Sequence, residues 1–128
     1  MKKLLALLVT AVIAVSAYAA GFPDISVKEV NKLAQSKSAV IIDVNGDESF
    51  KAGHVPGALN FAAIQDNLAA SLPKQKDALI IAYCLNPKCG AYARAARAAQ
   101  KLGYTNIKHM TAGISGWKAA GLKTQAGS

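Results

Sequence analysis

The feature that most constrains the fold is an apolar segment that ends in a cysteine and leads through a short loop into an alanine-rich segment. Residues 78–83 are continuously apolar, which is typical of a buried strand, and Cys84 follows them directly. The alanine-rich pattern predicts a helix over residues 91–102 that ends at Gly103. In an open parallel sheet, ligands bind at the carboxyl ends of the strands. The sequence therefore places Cys84 at the edge of the sheet where ligands bind.

The predicted surroundings of Cys84 favour the ionised form of its side chain. A helix N-terminus offers free N–H donors and the positive end of a dipole, which stabilise a thiolate and attract an anionic substrate. The thiolate is the nucleophilic form of cysteine, and such surroundings lower the pKa of the thiol. Cys84 is therefore a candidate nucleophile. The alternative is a cysteine that only packs in the core.

The first residues have the pattern of a bacterial Sec-type signal peptide. Lys2 and Lys3 are followed by an apolar run over residues 4–15 and by an A-x-A cleavage site that ends at Ala19. The run is short for a membrane-spanning helix, although an uncleaved N-terminal anchor is the alternative. We expect a signal peptide over 1–19 and a domain over 20–128. After cleavage, that domain would be periplasmic or secreted, with no membrane contact.

The charged residues of the chain form no cluster that would indicate a nucleic-acid-binding surface. The 128 residues carry a formal net charge of +8, and the basic residues are scattered without a run of five or more. Such scatter is typical of a solvated surface with a mild attraction for small anions. Because an exported protein seldom meets nucleic acid, we expect no nucleic-acid partner.

Helix and strand patterns alternate along the rest of the chain. Ser26 and Glu29 form a capping-box pattern at the start of a predicted helix that ends near Ser36. The other predicted strands are 39–44, 58–61 and 106–110, and the other predicted helical segments are 47–52, 65–72 and 112–121. This alternation predicts an α/β domain around a mainly parallel sheet.

Several motifs, in this order, resemble those of the rhodanese-like domain family. They are Asp43-Val44, Gly53-His54-Val55-Pro56-Gly57-Ala58, Tyr83-Cys84, Leu102-Gly103-Tyr104 and Gly113-Ile114-Ser115-Gly116-Trp117. The resemblance covers nearly all of residues 20–128. It implies a central five-stranded, mainly parallel sheet flanked by helices, with the catalytic cysteine on the loop after the fourth strand.

The resemblance also implies sulfur transfer as the activity. Cys84 would attack the outer sulfur of thiosulfate or of a persulfide donor, release sulfite in the case of thiosulfate, and carry the sulfur as a persulfide. A thiol or cyanide would then accept it. The backbone N–H groups of the loop would surround the persulfide and the anion. The loop residues are Leu85, Asn86, Pro87, Lys88 and Gly90.

The chain departs from the common family pattern at three points. Asn45 follows Asp43-Val44 where the family often has arginine, Cys89 takes a position that is usually arginine or a small residue, and the spacing from Cys84 to Gly103 is about two residues longer. Cys89 gives the loop a C-x4-C pattern. It could resolve a Cys84 persulfide, protect Cys84 as a reversible disulfide, or merely pack in the loop. Because the loop departs from the common pattern, the sequence leaves open whether thiosulfate is the preferred sulfur donor.

Other candidate residues have weaker assignments. Asp43 is expected to be a structural, hydrogen-bonding carboxylate. Lys88 either attracts the sulfonate end of the substrate or is a solvated charge, and Arg94 is expected to pack or to form an ion pair. His54 belongs to a turn that supports the fold. No cofactor or metal is expected, because C-x4-C with scattered histidines is not a zinc spacing.

Three functions remain open from the sequence. The first is an exported sulfurtransferase that uses a Cys84 persulfide, and the second is a thiol–disulfide or persulfide reductase that uses Cys84, Cys89 and a periplasmic redox protein. The third is a non-catalytic binding module whose loop is locked as a disulfide. A phosphatase or arsenate reductase is disfavoured, because Gly90 stands where Cys-x5-Arg would place its arginine.

The signal peptide makes a direct prediction. When the full chain is expressed in a bacterium, we expect the exported protein to begin at Ala20, because cleavage follows the small residues Ala17 and Ala19. Intact mass and N-terminal sequencing measure this. Ala19→Phe should block cleavage, whereas an exported wild-type chain that retains Met1 would identify an uncleaved anchor.

Overall fold

The computed structural model describes residues 21–128, which form an α/β domain. The predicted signal peptide, residues 1–19, lies outside the described residues. The helices are α1 (Val27–Ser36), α2 (Asp47–Ala52), α3 (Phe61–Ile64), α4 (Leu68–Ser71), α5 (Tyr92–Lys101) and α6 (Gly113–Ala119). The strands are β1 (Val40–Asp43), β2 (Leu59–Asn60), β3 (Ile80–Tyr83) and β4 (Ile107–His109). Within residues 21–128, no helix is long and apolar enough to cross a membrane.

The four strands form one parallel sheet in the order β2-β1-β3-β4. Strands β1 and β3 lie at its centre, where Ile42 pairs with Ala82 and Asp43 pairs with Tyr83. Both central strands are almost entirely buried, which explains their continuous apolar sequences. The carboxyl ends of β1 and β3 therefore lie side by side, and Cys84 follows one of them.

The predicted fifth strand is wrong for the described residues, because the first segment of the domain forms only a single bridge. Asp24 pairs with His109 in parallel at the outer edge of β4. The Ile25 N–H donates to the His109 carbonyl at 3.0 Å, and the His109 N–H donates to the Pro23 carbonyl at 2.8 Å. Pro23 has no N–H to donate, so the pairing does not extend toward Gly21 as a ladder.

Alternation along β3 distributes its side chains between two hydrophobic cores. Ile81 and Tyr83 face the side covered by α1, α2 and α6, where Val30 and Trp117 are buried. The opposite core contains Ile80, Ala82, Cys84 and the α5 residues Ala95, Ala96 and Ala99. Because consecutive residues of a strand face opposite sides, Tyr83 and Cys84 enter different cores.

One predicted helix is broken in the structure. The segment predicted as a helix over 65–72 consists of a 3₁₀ turn (Gln65–Asn67) and α4, and it is preceded by α3. The side chain of Asn60 accepts the Ala62 N–H at 3.1 Å and so begins α3 earlier than predicted. Asn67 has a φ of −139° and a ψ of 39°, which are not helical angles and separate the turn from α4.

Other helix ends agree with the sequence pattern. The Ser26 hydroxyl accepts the Glu29 N–H at 3.1 Å at the start of α1, which confirms the predicted N-cap. Gly103 follows α5 with a φ of +97°, and Gly121 follows α6 with a φ of +75°. Glycine adopts this left-handed conformation without the steric cost of a Cβ atom.

A buried hydrogen-bond network joins the two central strands to the loop before β2. The Tyr83 hydroxyl donates to Asp43 Oδ2 at 2.6 Å and accepts the Val55 N–H at 3.0 Å. Asp43 Oδ1 accepts the Asn45 N–H at 2.8 Å. Burial, followed by the neighbouring Asp43 carboxylate, raises the pKa of Tyr83 well above its usual range, so the phenol stays protonated and donates. The phenol thereby satisfies a buried carboxylate and a buried N–H at once.

We expect Tyr83→Phe to lower the free energy of unfolding by about 2–3 kcal/mol, because it leaves the Asp43 carboxylate and the Val55 N–H without this partner. Urea unfolding measures the change. The matched control is Tyr104→Phe, which removes a hydroxyl that donates to the Pro73 carbonyl and involves no charged group, and should cost about 1 kcal/mol. Equal losses in the two variants would contradict the role of the charged network.

Candidate functional site

Cys84 begins the loop that joins β3 to α5, and its side chain is buried. It is 1% exposed and lies in the same core as Val44 at the end of β1, Phe61 of α3 and Ala95 of α5. Its carbonyl oxygen accepts the N–H of Ile114 at 3.0 Å. The cysteine is thus held at the carboxyl edge of the sheet, between its two central strands and the helix that follows.

Cys84 and Cys89 form a disulfide that closes the loop. Their Cα atoms are 6.2 Å apart, and Cys89 is partly exposed. Asn86 folds the residues between them into a turn: its carbonyl accepts the Cys89 N–H at 3.1 Å, and its side-chain Oδ1 accepts the Lys88 N–H at 3.0 Å. Two backbone N–H groups of the loop are therefore occupied within the loop itself in this oxidised state.

The first turn of α6 holds the start of the loop from the other side. The N–H of Ile114 donates to the Cys84 carbonyl, and the N–H of Ser115 donates to the Leu85 carbonyl at 2.9 Å. Gly113 has a φ of +64°, and a Cβ atom there would lie 2.5 Å from the carbonyl carbon and oxygen of Leu85. Only glycine permits this approach, so Gly113 lets α6 bind the loop backbone directly.

The start of α5 has no side-chain cap but is fixed by aromatic contacts. Ala91 makes no capping hydrogen bond, and the next residue, Tyr92, stacks on His109 with ring centroids 3.3 Å apart. Phe22 packs edge-on against the same tyrosine at 6.3 Å. Burial lowers the pKa of His109, which keeps this imidazole neutral near pH 7 although Asp24 opposes the shift. A neutral ring stacked on Tyr92 anchors the first turn of α5 next to the loop.

A small pocket of about 50 Å³ lies at the same edge of the sheet. Its lining residues are Val44, Gly46, Phe61, Ala62, Gln65 and Arg94. Two of them, Val44 and Phe61, pack in the core that contains Cys84. The guanidinium of Arg94 lies over the Phe61 ring, 5.8 Å from its centre, so it brings a positive charge to the pocket. A pocket that combines apolar side chains with polar groups and one cation can hold a small anion at this edge of the sheet.

The structure groups the predicted loop residues and separates Asp43 from them. Leu85 is 50% exposed, and Pro87, Lys88 and Gly90 are exposed as well. Asp43 is buried on the opposite side of the sheet from Cys84, where it binds Tyr83. Among residues 21–128, no group of three or more His, Cys, Asp and Glu side chains could hold a metal ion.

His54 has a structural role in the turn before β2. None of its described interactions involves the cysteine loop. Its Nδ1 is 2.7 Å from the Phe50 carbonyl, and its ring stacks on Phe50 at 3.6 Å. Its backbone also pairs with Gln125. It therefore fixes the turn before β2.

Sequence reasoning missed the residues that position the loop from outside it. Gly113, Ile114 and Ser115 belong to a motif of the sequence, but the motif assigns none of them an individual role. The usable signal was the motif itself, since a glycine that starts a helix next to a functional loop often permits a close backbone approach. The Tyr83 hydroxyl was missed too, although a tyrosine in a buried strand needs a hydrogen-bond partner.

Comparison with known proteins places these features in a family. The model of the rhodanese-like domain matches residues 26–120. Thiosulfate:glutathione sulfurtransferase of Homo sapiens is 32% identical over 111 residues, which cover 77% of this chain and 95% of that protein. Thiosulfate sulfurtransferase GlpE of Pseudoalteromonas translucida is 30% identical, with 77% and 91% covered. The HTH-type transcriptional regulator Rv0324 of Mycobacterium tuberculosis is 32% identical, but the match spans only 43% of its length.

Solved structures show the same architecture. The BH2092 protein of Bacillus halodurans superposes with a TM-score of 0.70 at 22% identity, covering 81% of this chain and 77% of that one. The human single-domain sulfurtransferase TSTD1 superposes with a TM-score of 0.59 at 29% identity, covering 77% and 97%. The parallel sheet with helices on both sides is therefore shared with these proteins.

We expect Gly113→Ala to displace the loop and to lower the free energy of unfolding by about 2 kcal/mol or more, because the added Cβ meets the backbone of Leu85 in a left-handed conformation. Gly121→Ala is the matched control: its φ is +75° and nothing lies within 4 Å of an added Cβ, so it should cost about 1 kcal/mol. Urea unfolding measures both variants. If the two variants lost the same free energy of unfolding, the close approach of α6 to the loop would make no contribution to stability.

Proposed function

The chain belongs to the rhodanese-like domain family, and from that premise we propose that it is a sulfurtransferase whose sulfur carrier is Cys84. The observation that carries the proposal is the position of this cysteine, directly after a central parallel strand and on the loop that leads into α5. The names of two relatives support it, since both are sulfurtransferases that use thiosulfate. The same position is where open parallel sheets bind ligands.

In the first half-reaction, the Cys84 thiolate attacks the outer sulfur of thiosulfate. A new sulfur–sulfur bond forms on Cys84, the bond between the two sulfur atoms of thiosulfate breaks, and sulfite leaves with the electron pair of that bond. The product is a Cys84 persulfide. The positive end of the α5 dipole and the positive charge of Arg94 favour both the thiolate and the anionic donor. A persulfide donor would react in the same way and release its own thiolate.

In the second half-reaction, a thiophilic acceptor takes the outer sulfur and restores the Cys84 thiolate. A thiol is the acceptor we favour, because the relative of Homo sapiens is named for glutathione. Its thiolate attacks the outer sulfur, a persulfide of the acceptor forms, and the bond to Cys84 breaks. Cyanide would accept the sulfur in the same manner and become thiocyanate.

The disulfide with Cys89 has to be reduced before this cycle starts, because a disulfide sulfur is not a nucleophile. Reduction also releases the constraint on the turn at Asn86, where the N–H groups of Lys88 and Cys89 are occupied. We infer that these groups turn toward the persulfide once the loop is open, as the donors of a backbone nest do. Lys88, which is exposed on this loop, then contributes a positive charge at the entrance.

The disulfide itself favours a second candidate function. A pair of cysteines that closes so short a loop can exchange electrons with a thiol or a persulfide. In that reaction Cys89 attacks the inner sulfur of a Cys84 persulfide, a disulfide forms, and sulfide leaves. The protein would then act as a persulfide reductase, and a periplasmic redox protein would restore its two thiols.

We also propose that residues 1–19 are a signal peptide and that the domain acts in the periplasm or outside the cell. The cationic start, the apolar run and the A-x-A site support this location. In such a compartment disulfides persist, so the oxidised loop would be the resting form.

Intact mass spectrometry of the reduced protein with thiosulfate tests the proposal. We expect a gain of about 32 Da, one sulfur atom, mapped to Cys84, because persulfidation of a thiolate adds a single sulfur. A product about 2 Da lighter than the reduced protein, together with released sulfide, identifies the persulfide reductase, because a disulfide lacks two hydrogens.

Two cysteine variants serve as controls for this experiment. Cys89→Ser should keep the added sulfur on Cys84 and abolish sulfide release, whereas Cys84→Ser should gain no sulfur with thiosulfate. If the folded wild-type protein showed neither the added sulfur nor the loss of two hydrogens, both chemistries would be contradicted and the binding module would be favoured.

A further inference from the structure

The charged residues are distributed very unevenly along the chain. Residues 78–128 contain seven Lys or Arg residues and no Asp or Glu, whereas residues 21–77 contain six Lys or Arg and seven Asp or Glu. The cysteine loop and α5 both belong to the acid-free part. The net positive charge of the domain is therefore carried by the half that contains the reactive loop.

Four of these cations lie on the loop and along one face of α5. Arg94, Arg97 and Lys101 are exposed at spacings of three and four residues, which places them on the same side of the helix. Lys88 is exposed on the loop that precedes the helix. We call these four residues the basic stripe. Among residues 21–128, the structure shows one ion pair within 4 Å, Lys51–Asp47. No residue of the basic stripe takes part in it.

The loop that carries Lys88 also carries an exposed apolar side chain and the more exposed cysteine of the disulfide. Leu85 is 50% exposed, whereas Cys84 is 1% exposed. Cys89 is partly exposed at the other end of the loop. An exposed leucine next to a charged surface is typical of a contact in which apolar burial adds to electrostatic attraction. Of the two cysteines of the disulfide, Cys89 is the more exposed.

We propose that the basic stripe and Leu85 form the docking surface for an acidic protein dithiol, which reduces the disulfide by attacking Cys89. The partner's first thiolate bonds to Cys89 Sγ, the bond between Cys84 and Cys89 breaks, and Cys84 leaves as a thiolate. The partner's second thiolate then attacks the partner's first sulfur, which is bonded to Cys89 in the mixed disulfide. The partner ends as a disulfide, Cys89 leaves as a thiolate that takes up a proton, and two electrons have passed to the cysteine pair.

The direction of attack follows from access. An attacking thiolate must approach along the sulfur–sulfur bond, which the burial of Cys84 prevents at its own sulfur. This inference deepens the proposed function by naming the partner of the same cysteine pair, yet it concerns reduction alone and requires no sulfur donor.

Two synthetic dithiol peptides with the same Cys-Gly-Pro-Cys core, one flanked by glutamates and the other by lysines, test the docking surface. The readout is the rate of reduction of the Cys84–Cys89 disulfide in the oxidised full domain, followed by alkylation and mass. At low salt we expect the acidic peptide to react at least about 10-fold faster than the basic one, because steering by opposite charge raises association rates by 10-fold or more. The difference should largely vanish at about 0.5 M salt.

The double variant R97E/K101E should remove the preference for the acidic peptide, while reduction by uncharged dithiothreitol stays unchanged. K28E/K32E is the matched control: it changes the net charge equally, but on exposed positions of α1, whose Val30 packs in the core on the opposite side of the sheet. It should keep the preference. Equal rates for the two peptides, or a preference that K28E/K32E removes and R97E/K101E keeps, would overturn the proposal.

A monothiol version of the acidic peptide tests the direction of attack. After rapid quenching with acid and alkylation, we expect the peptide on Cys89 and the alkyl group on Cys84. The reverse assignment would overturn attack at Cys89. Because no step uses thiosulfate, these rates and adducts are the same whether or not the protein transfers sulfur, so failure here and failure of sulfur transfer are distinguishable.

Discussion

Backbone pairing on both edges of β3 is the constraint on which the site depends. Asp43 and Ala82 are locked into register with their neighbours in β3 and β4, so the side of the sheet that each side chain faces is fixed. Tyr83 therefore enters one core and Cys84 the other. A shift of one residue would exchange their positions: it would place the phenol beside α5 and the sulfur beside Asp43. The hydrogen bond between Tyr83 and Asp43 opposes such a shift directly, because the buried carboxylate would lose its donor. A structural network on one side of the sheet thus maintains the position of Cys84 on the other.

Much of this arrangement could be predicted from the sequence, because it depends on local patterns. The apolar run before Cys84, the Ser26 cap and the helix ends at Gly103 and Gly121 are local signals, and the structure confirms each of them. The predicted five-stranded sheet is wrong by one strand because a single proline decides whether the edge segment can form a ladder.

Contacts between distant segments of the chain could not be predicted from the sequence patterns. The pairing of Val55 with the Tyr83 hydroxyl spans 28 residues, and that of Ile114 with the Cys84 carbonyl spans 30 residues of sequence. Neither leaves a periodic signal, since each involves a backbone group that every residue has. The charge asymmetry was visible in the sequence, but scattered cations acquire meaning only once α5 places Arg94, Arg97 and Lys101 on one exposed face.

The loop has two restraints of different kinds, a disulfide and a pair of backbone hydrogen bonds from α6. The Cys84–Cys89 link closes a ring of only a few residues, so its entropic contribution to stability is about 2 kcal/mol, less than for a long cross-link. The hydrogen bonds from Ile114 and Ser115 hold the start of the loop independently of that link. Breaking the disulfide therefore frees the turn at Asn86 while Cys84 keeps its place at the end of β3. Because the two parts of the loop are held by separate contacts, the change of oxidation state that we propose for the cysteine pair does not require the edge of the sheet to unfold.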